Sequence, residues 1–100
     1  MKILTLNLIG TYFHQIKAGT KTFEFRLQTP YWRTRLEGRT YDMVRVCWGY
    51  PKKGDAEREI LLPWLGFEEQ SIVHEHFGDL PVDVFAIRVS AKASGTARTP

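Results

Sequence analysis

The chain has 100 residues, enough for one small domain, which excludes an arrangement of two packed domains. Hydrophobic residues make up 43% of it and charged residues 25%, which is typical of a soluble globular protein. The formal net charge is +3, and the single cysteine, Cys47, excludes both an internal disulfide and a cysteine-based metal cluster. No apolar run reaches the roughly 18–20 residues of a membrane span, and no signal peptide is recognisable, so we expect a cytoplasmic domain.

Short predicted elements follow one another along the chain. Strand patterns cover residues 3–9, 21–27, 41–48, 59–62, 65–73 and 82–89. Two short helices are predicted over residues 11–19 and 29–38, because each begins at a threonine and ends at a glycine. Both helices lie early in the chain, which argues against a doubly wound sheet. The pattern therefore predicts an α+β fold, mainly β, that forms a small mixed barrel.

The domain is predicted to cover residues 1–90. Residues 91–100 (AKASGTARTP) contain no large apolar side chain, so we predict that they form a disordered tail.

Charge is unevenly divided along the chain. Residues 21–53 contain eight basic groups against three acidic ones, and residues 54–90 contain eight acidic groups against two basic ones. Such a division is typical either of a basic face that binds anions or of two halves that neutralise each other in the fold.

The segment from Gly19 to Arg26 is the most informative part of the sequence. A glycine turn delivers Lys21 to the start of a strand in which polar and apolar residues alternate. We expect Glu24 and Arg26 to line one cleft, about 6–7 Å apart along the strand, with Lys21 at its mouth. A solvated Glu–Arg pair, contributing about 0–1 kcal/mol, would explain the same spacing.

The pattern Gly-x-Lys-x-x-Glu-x-Arg, here Gly19, Lys21, Glu24 and Arg26, resembles the signature of the ASCH domain family. The resemblance runs over almost the whole domain and implies a PUA-like mixed β-barrel with two short helices. It also implies a ligand among modified nucleosides and RNA. Some small bacterial members of the family are amidohydrolases that cleave N4-acetylcytidine to cytidine and acetate, and others are associated with ribonuclease activity.

The resemblance implies a lysine, a threonine and a glutamate as catalytic residues. Lys21 matches the lysine, whereas Glu24 stands at the threonine position, so a hydroxyl nucleophile would have to come from Thr20 or Thr22. The family glutamate lies downstream, and we take Glu69 for it among three candidates: Glu68, Glu69 and Glu75.

Amide hydrolysis needs an activated nucleophile, a proton for the leaving amine and a group that polarises the carbonyl. Lys21, a glutamate and Arg26 supply these roles without a metal or another cofactor. We expect Glu24 to orient Lys21 or activate water. Thr22 and Arg26 are predicted to bind substrate, together with two aromatic residues that should lie beside the cleft: Tyr31 and Trp32.

Two functions from different classes follow. The first is a metal-independent amidohydrolase acting on N4-acylated cytosine nucleosides. The second is an RNA-binding module, with or without ribonuclease activity, in which the aromatics and arginines of the basic segment contact bases and phosphates. His74 and His76 are predicted to alternate on one strand face, but no third ligand accompanies them, so no metal is predicted. A membrane partner is not expected, and the oligomeric state stays open.

Overall fold

The computed structural model describes residues 1–90, so the predicted tail lies outside the described residues. All the predicted strands and both helices are present there, with ends displaced by a few residues. In chain order they are β1 (Ile3–Leu8), α1 (Gly10–Ala18), β2 (Phe23–Leu27), α2 (Pro30–Leu36), β3 (Met43–Trp48), β4 (Glu59–Pro63), β5 (Phe67–Ile72) and β6 (Val82–Arg88). The fold is α+β and mainly β, as predicted.

The strands form two three-stranded sheets. In the first, of order β1-β3-β4, β1 runs parallel to β3 and β4 runs antiparallel to it. In the second, of order β2-β6-β5, every pair is antiparallel. No strand pairing joins the sheets within residues 1–90, so the predicted barrel is not closed.

The hydrophobic core draws on both sheets and both helices. Its largest fully buried side chains include Phe13 of α1, Leu36 of α2, Leu6 of β1 and Phe85 of β6. Fully burying one side chain of this size contributes about 1.5–3 kcal/mol. This shared core holds β1, α1 and β6 together, and β2 is fixed to them through its pairing with β6.

Local signals determine where the two helices begin and end. Gly19 adopts a left-handed conformation with φ of 83° after α1, and the amide of Lys21 donates a hydrogen bond to the Gln15 carbonyl at 3.1 Å. Thr29 caps α2, its hydroxyl oxygen accepting a hydrogen bond from the Trp32 amide at 3.3 Å. The predicted caps at Gly19 and Thr29 are confirmed, and the first holds Lys21 against the end of α1. The predicted start of α1 at Thr11 is wrong, because the helix begins at Gly10 after Ile9, with no side-chain cap.

Among residues 1–90, neither helix has the length and apolar character needed to cross a membrane.

Candidate functional site

A cleft opens where the end of β1, helix α1 and strand β2 meet, and its open volume is about 500 Å³. Lys21, Glu24 and Arg26 all line it, so the expectation that these three side chains share a cleft is confirmed. The remaining lining comes from residues 7–9, Tyr12, Phe25 and the segment around a 3-10 turn at residues 75–77.

Glu24 is the charged centre of this cleft. It is 5% exposed, and among residues 1–90 it is the only charged or polar residue that is buried. Its carboxylate lies 3.6 Å from the Lys21 Nζ and 3.1 Å from an Arg26 nitrogen. Burial raises the pKa of Glu24 above its ordinary value of 4.5, and the neighbouring Arg26 and Lys21 partly offset that rise. A carboxyl group of this kind exchanges its proton closer to neutrality than an exposed one.

Strand β2 turns its polar side inward, unlike a solvated strand face. Glu24 is buried, whereas Phe23 and Phe25 are only half-buried and Leu27 is exposed. The reason is tertiary: the side of β2 that carries Glu24 faces the end of β1, where Arg26 donates a hydrogen bond to the Asn7 carbonyl at 3.2 Å. The alternation along β2 is as predicted. The other interpretation of the spacing, a solvated pair of Glu24 and Arg26, is excluded because Glu24 is buried.

Arg26 is held from three sides. One of its terminal nitrogens lies at hydrogen-bonding distance from both Glu24 and the Asn7 carbonyl, and its guanidinium lies 5.1 Å from the centroid of the Trp32 ring. Its Nε is buried and has no hydrogen-bond partner among residues 1–90. Trp32 therefore acts on the site by packing against Arg26, and it is not itself part of the cleft lining.

Lys21 sits between two aromatic rings. Its Nζ lies 4.9 Å from the centroid of the Tyr12 ring and 5.0 Å from that of Phe25, and its side chain is 12% exposed. Aromatic faces attract a cation and exclude water from it. The ammonium group is thus fixed beside Glu24 rather than free in solvent.

The outer wall of the cleft is formed by His74, His76 and Phe77. The prediction that the two histidines alternate on a strand is wrong, because β5 ends at Ile72 and a 3-10 turn follows. The His74 Nδ1 accepts a hydrogen bond from the His76 amide at 3.0 Å and so caps this turn. Both imidazoles lie about 6 Å from the Tyr12 ring, at 6.1 and 6.0 Å. The histidines contribute flat surface to the cleft.

Tyr12 completes this wall from α1. Burial, Glu75 and Glu24 together raise the pKa of its phenol, which keeps the hydroxyl protonated.

The structure does not bring the other predicted site residues into the cleft. Glu69 lies exposed on β5, and Glu68 pairs with Arg88. Thr22 is exposed, and the Thr20 hydroxyl donates to the Gln15 carbonyl, so neither hydroxyl lines the cleft. Glu75 comes closest among the downstream glutamates, since it belongs to the 3-10 turn and acts on the pKa of Tyr12.

Tyr31 lines a different groove, together with Arg35 and Arg39. It is therefore not a residue of the cleft, although its ring lies 5.2 Å from that of Trp32.

Sequence reasoning missed the wall formed by Tyr12 and residues 74–77. Tyr12 lies on the helix face that also carries Phe13, which made core packing the natural interpretation. The histidine segment is more than fifty positions away from Lys21 in the chain. No local signal connects the two, because tertiary packing alone brings them together.

No group of three or more histidine, cysteine, aspartate or glutamate side chains within residues 1–90 has an arrangement that would hold a metal ion. Cys47 lies in the core, where it is 3% exposed, and burial raises the pKa of its thiol.

Comparisons of the chain with protein-family models, with curated proteins and with solved structures found no match. The resemblance carried by Gly19, Lys21, Glu24 and Arg26 therefore stays a prediction.

Proposed function

We propose that this protein is a small amidohydrolase that cleaves the N4-acyl amide of N4-acetylcytidine-like nucleosides to cytidine and a carboxylate. One observation carries the proposal: Glu24, a buried carboxylate, lies between Lys21 and Arg26 at the centre of a cleft with aromatic walls. A buried carboxylate beside two cations supplies acid–base chemistry, and flat rings favour a flat base.

In the proposed reaction, Glu24 in its ionised form takes a proton from a water molecule. The resulting hydroxide attacks the carbonyl carbon of the acyl group, and negative charge develops on the carbonyl oxygen. The bond from that carbon to N4 then breaks, and Lys21 gives a proton to the leaving N4 amine. The proton taken up by Glu24 then returns to Lys21, 3.6 Å away, which restores both groups. The products are cytidine and the carboxylic acid, which ionises in water to the carboxylate. Water is the nucleophile because neither Thr20 nor Thr22 lines the cleft.

Arg26 has a positioning role in this scheme. Its hydrogen bond to the Asn7 carbonyl and its packing on Trp32 hold the guanidinium in place. Its contact with Glu24 at 3.1 Å fixes the carboxylate and lowers the pKa that burial raises. The carboxylate is thereby kept ionised over a wider pH range, as a general base requires.

The walls suit the substrate. Tyr12, Phe25, Phe77 and the two imidazoles offer ring surfaces on which a cytosine base stacks. Glu69 is not assigned a role because it does not line the cleft.

We further propose that the protein is an ASCH domain with a PUA-like fold. Supporting this are the order of helix α1, Gly19 and strand β2, and the presence of Lys21, Glu24 and Arg26 in a single cleft.

The decisive experiment is to incubate the purified protein with N4-acetylcytidine and follow the ultraviolet change as cytidine appears. The Glu24→Gln variant should lose turnover, whereas Glu59→Gln should retain it. Glu59 is a matched control because it is also a strand carboxylate paired with an arginine, Arg45 at 3.2 Å, but it lies outside the cleft. Absence of turnover on every N4-acylated cytosine nucleoside tried would refute the proposal.

The alternative, an RNA-binding module, predicts salt-dependent RNA affinity without nucleoside turnover. Much of the basic segment is neutralised in the fold, which weakens this alternative. Arg26, Arg33 and Arg45 each pair with a glutamate.

A further inference from the structure

A second groove is formed by helix α2 and the turn that follows it. Tyr31, Thr34 and Arg35 come from α2, and Arg39 and Tyr41 come from the next segment. The groove has an open volume of about 600 Å³ and shares no lining residue with the cleft. None of its five lining residues is acidic.

Local geometry gives this groove its shape. Gly38 turns the chain with φ of +69°, and the Arg39 amide donates a hydrogen bond to the Leu36 carbonyl at 3.2 Å, which brings Arg39 back beside α2. The Tyr41 hydroxyl donates to the Arg35 carbonyl at 2.5 Å. This hydrogen bond holds Tyr41, on one side of the groove, against the backbone of α2 on the other side.

The two arginines of the groove have no carboxylate partner. Within residues 1–90, neither Arg35 nor Arg39 forms an ion pair or donates a side-chain hydrogen bond. Arg33, on the same helix, differs because it lies 3.1 Å from Glu37. Two uncompensated guanidinium groups in one concave site create a positive potential that attracts an anion.

The groove also offers an aromatic surface. Tyr31 is 58% exposed, and the Arg35 guanidinium lies 4.3 Å from the centroid of the Tyr31 ring. In that position the planar guanidinium keeps its N–H groups available for two parallel hydrogen bonds to a phosphate. A tyrosine ring at such a site stacks on a base.

We propose that this groove binds a nucleotide, with its phosphate on Arg35 and Arg39 and its base on Tyr31. The shared chemistry is a phosphate attached to a planar ring, whether in a free nucleotide or in single-stranded RNA. This site is independent of the amidohydrolase reaction, because it shares no residue with the cleft.

The test is calorimetric titration of the full chain with adenosine 5′-monophosphate, whose purine is not the base proposed for the cleft. Adenosine, inorganic phosphate and oligoadenylate are titrated in parallel. Arg35→Gln and Arg39→Gln should each weaken binding of the monophosphate about tenfold, the scale of one charged hydrogen bond. Arg58→Gln makes the same change in net charge outside the groove and should alter binding by less than about twofold.

Tyr31→Leu should weaken binding of the monophosphate and leave binding of inorganic phosphate unchanged. If oligoadenylate binds and the monophosphate does not, and both arginine variants lose that binding, the site is assigned to single-stranded RNA. Equal binding of adenosine and its monophosphate would overturn the proposal, as would equal losses in the Arg35 and Arg58 variants. Because Lys21→Ala should not alter these titrations, failure of the cleft proposal is distinguishable from failure of this one.

Discussion

The cleft and the groove on α2 both combine cationic side chains with aromatic rings, but they differ in their charge balance. In the cleft, Glu24 lies between Lys21 and Arg26, and this trio is largely withdrawn from solvent. In the groove, Arg35 and Arg39 have no acidic partner among residues 1–90. A compensated buried cluster fixes groups for proton transfer, whereas uncompensated exposed cations attract an anion. The same residue types therefore suit two different tasks.

The largest effect is expected from Lys21→Ala, which removes the proposed proton donor of the cleft. Turnover of N4-acetylcytidine should fall by at least about 100-fold, the scale of losing a general acid or base. Lys17→Ala is the matched control, since Lys17 is an exposed lysine on α1 outside the cleft. Near-normal turnover of the Lys21 variant, with its fold intact by circular dichroism, would make the motif a structural one.

Glu24→Gln should lower kcat by about 100-fold and change KM little, because glutamine keeps the shape but cannot accept a proton from water. Steady-state kinetics on N4-acetylcytidine measure both constants. An increase in KM at unchanged kcat would show that Glu24 only binds substrate.

Glu24 should also give the stability of the protein a recognisable pH dependence. Because burial raises its pKa above 4.5, the folded protein still holds this proton where the unfolded chain has lost it. The contribution of this group therefore decreases as the pH rises from the unfolded through the folded pKa. Urea unfolding between about pH 4 and pH 8 should show wild type losing stability relative to Glu24→Gln as the pH increases. Parallel curves would contradict the assigned pKa shift.

Trp32→Leu tests whether α2 stabilises the cleft through the contact of Trp32 with Arg26. Losing the contact with the Arg26 guanidinium should cost about 1 kcal/mol of unfolding free energy. It should also loosen Arg26, whose charge lowers the pKa of Glu24. The pKa of Glu24 should then rise, so the acid limb of the pH–rate profile should move to higher pH. Loss of stability without that movement would reduce Trp32 to a packing residue.

The smallest effect is expected from Arg33→Gln, which breaks an exposed pair with Glu37 and two exposed hydrogen bonds to Gln28. With side chains 47% and 46% exposed, this pair contributes at most about 0.5 kcal/mol. Chemical unfolding measures the change. A loss of unfolding free energy above about 2 kcal/mol would show that charged side chains on α2 stabilise the fold. The arginines of the groove would then differ less from the buried cluster of the cleft.

The sequence predicted the elements well because their signals are local. Thr29 followed by Pro30 is a favoured start of a helix, and Gly19 ends one because its left-handed conformation suits glycine. The candidate site was predicted in part. Lys21, Glu24 and Arg26 lie within six positions of one another, so one turn and one strand place them together.

The residues that join Lys21, Glu24 and Arg26 in the cleft could not be predicted from local signals. The resemblance predicts Glu69 only from its position downstream in the chain, but the register of β5 against β6 leaves this side chain exposed. The segment from His74 to Phe77 reaches the cleft instead, through a 3-10 turn that the sequence presented as a strand.

By itself, then, the sequence determined the α+β class, the order of strands and helices, and the motif that starts at Gly19. Each of these depends on periodicity, capping or spacing over a few residues. Tertiary structure alone decided that β2 turns Glu24 inward, that the sheets stay unjoined within residues 1–90, and that Tyr31 belongs to the groove. The physical reason is that alternation specifies two faces of a strand but not which face becomes buried. That outcome is determined by contacts with distant parts of the chain, here the end of β1 and the shared core.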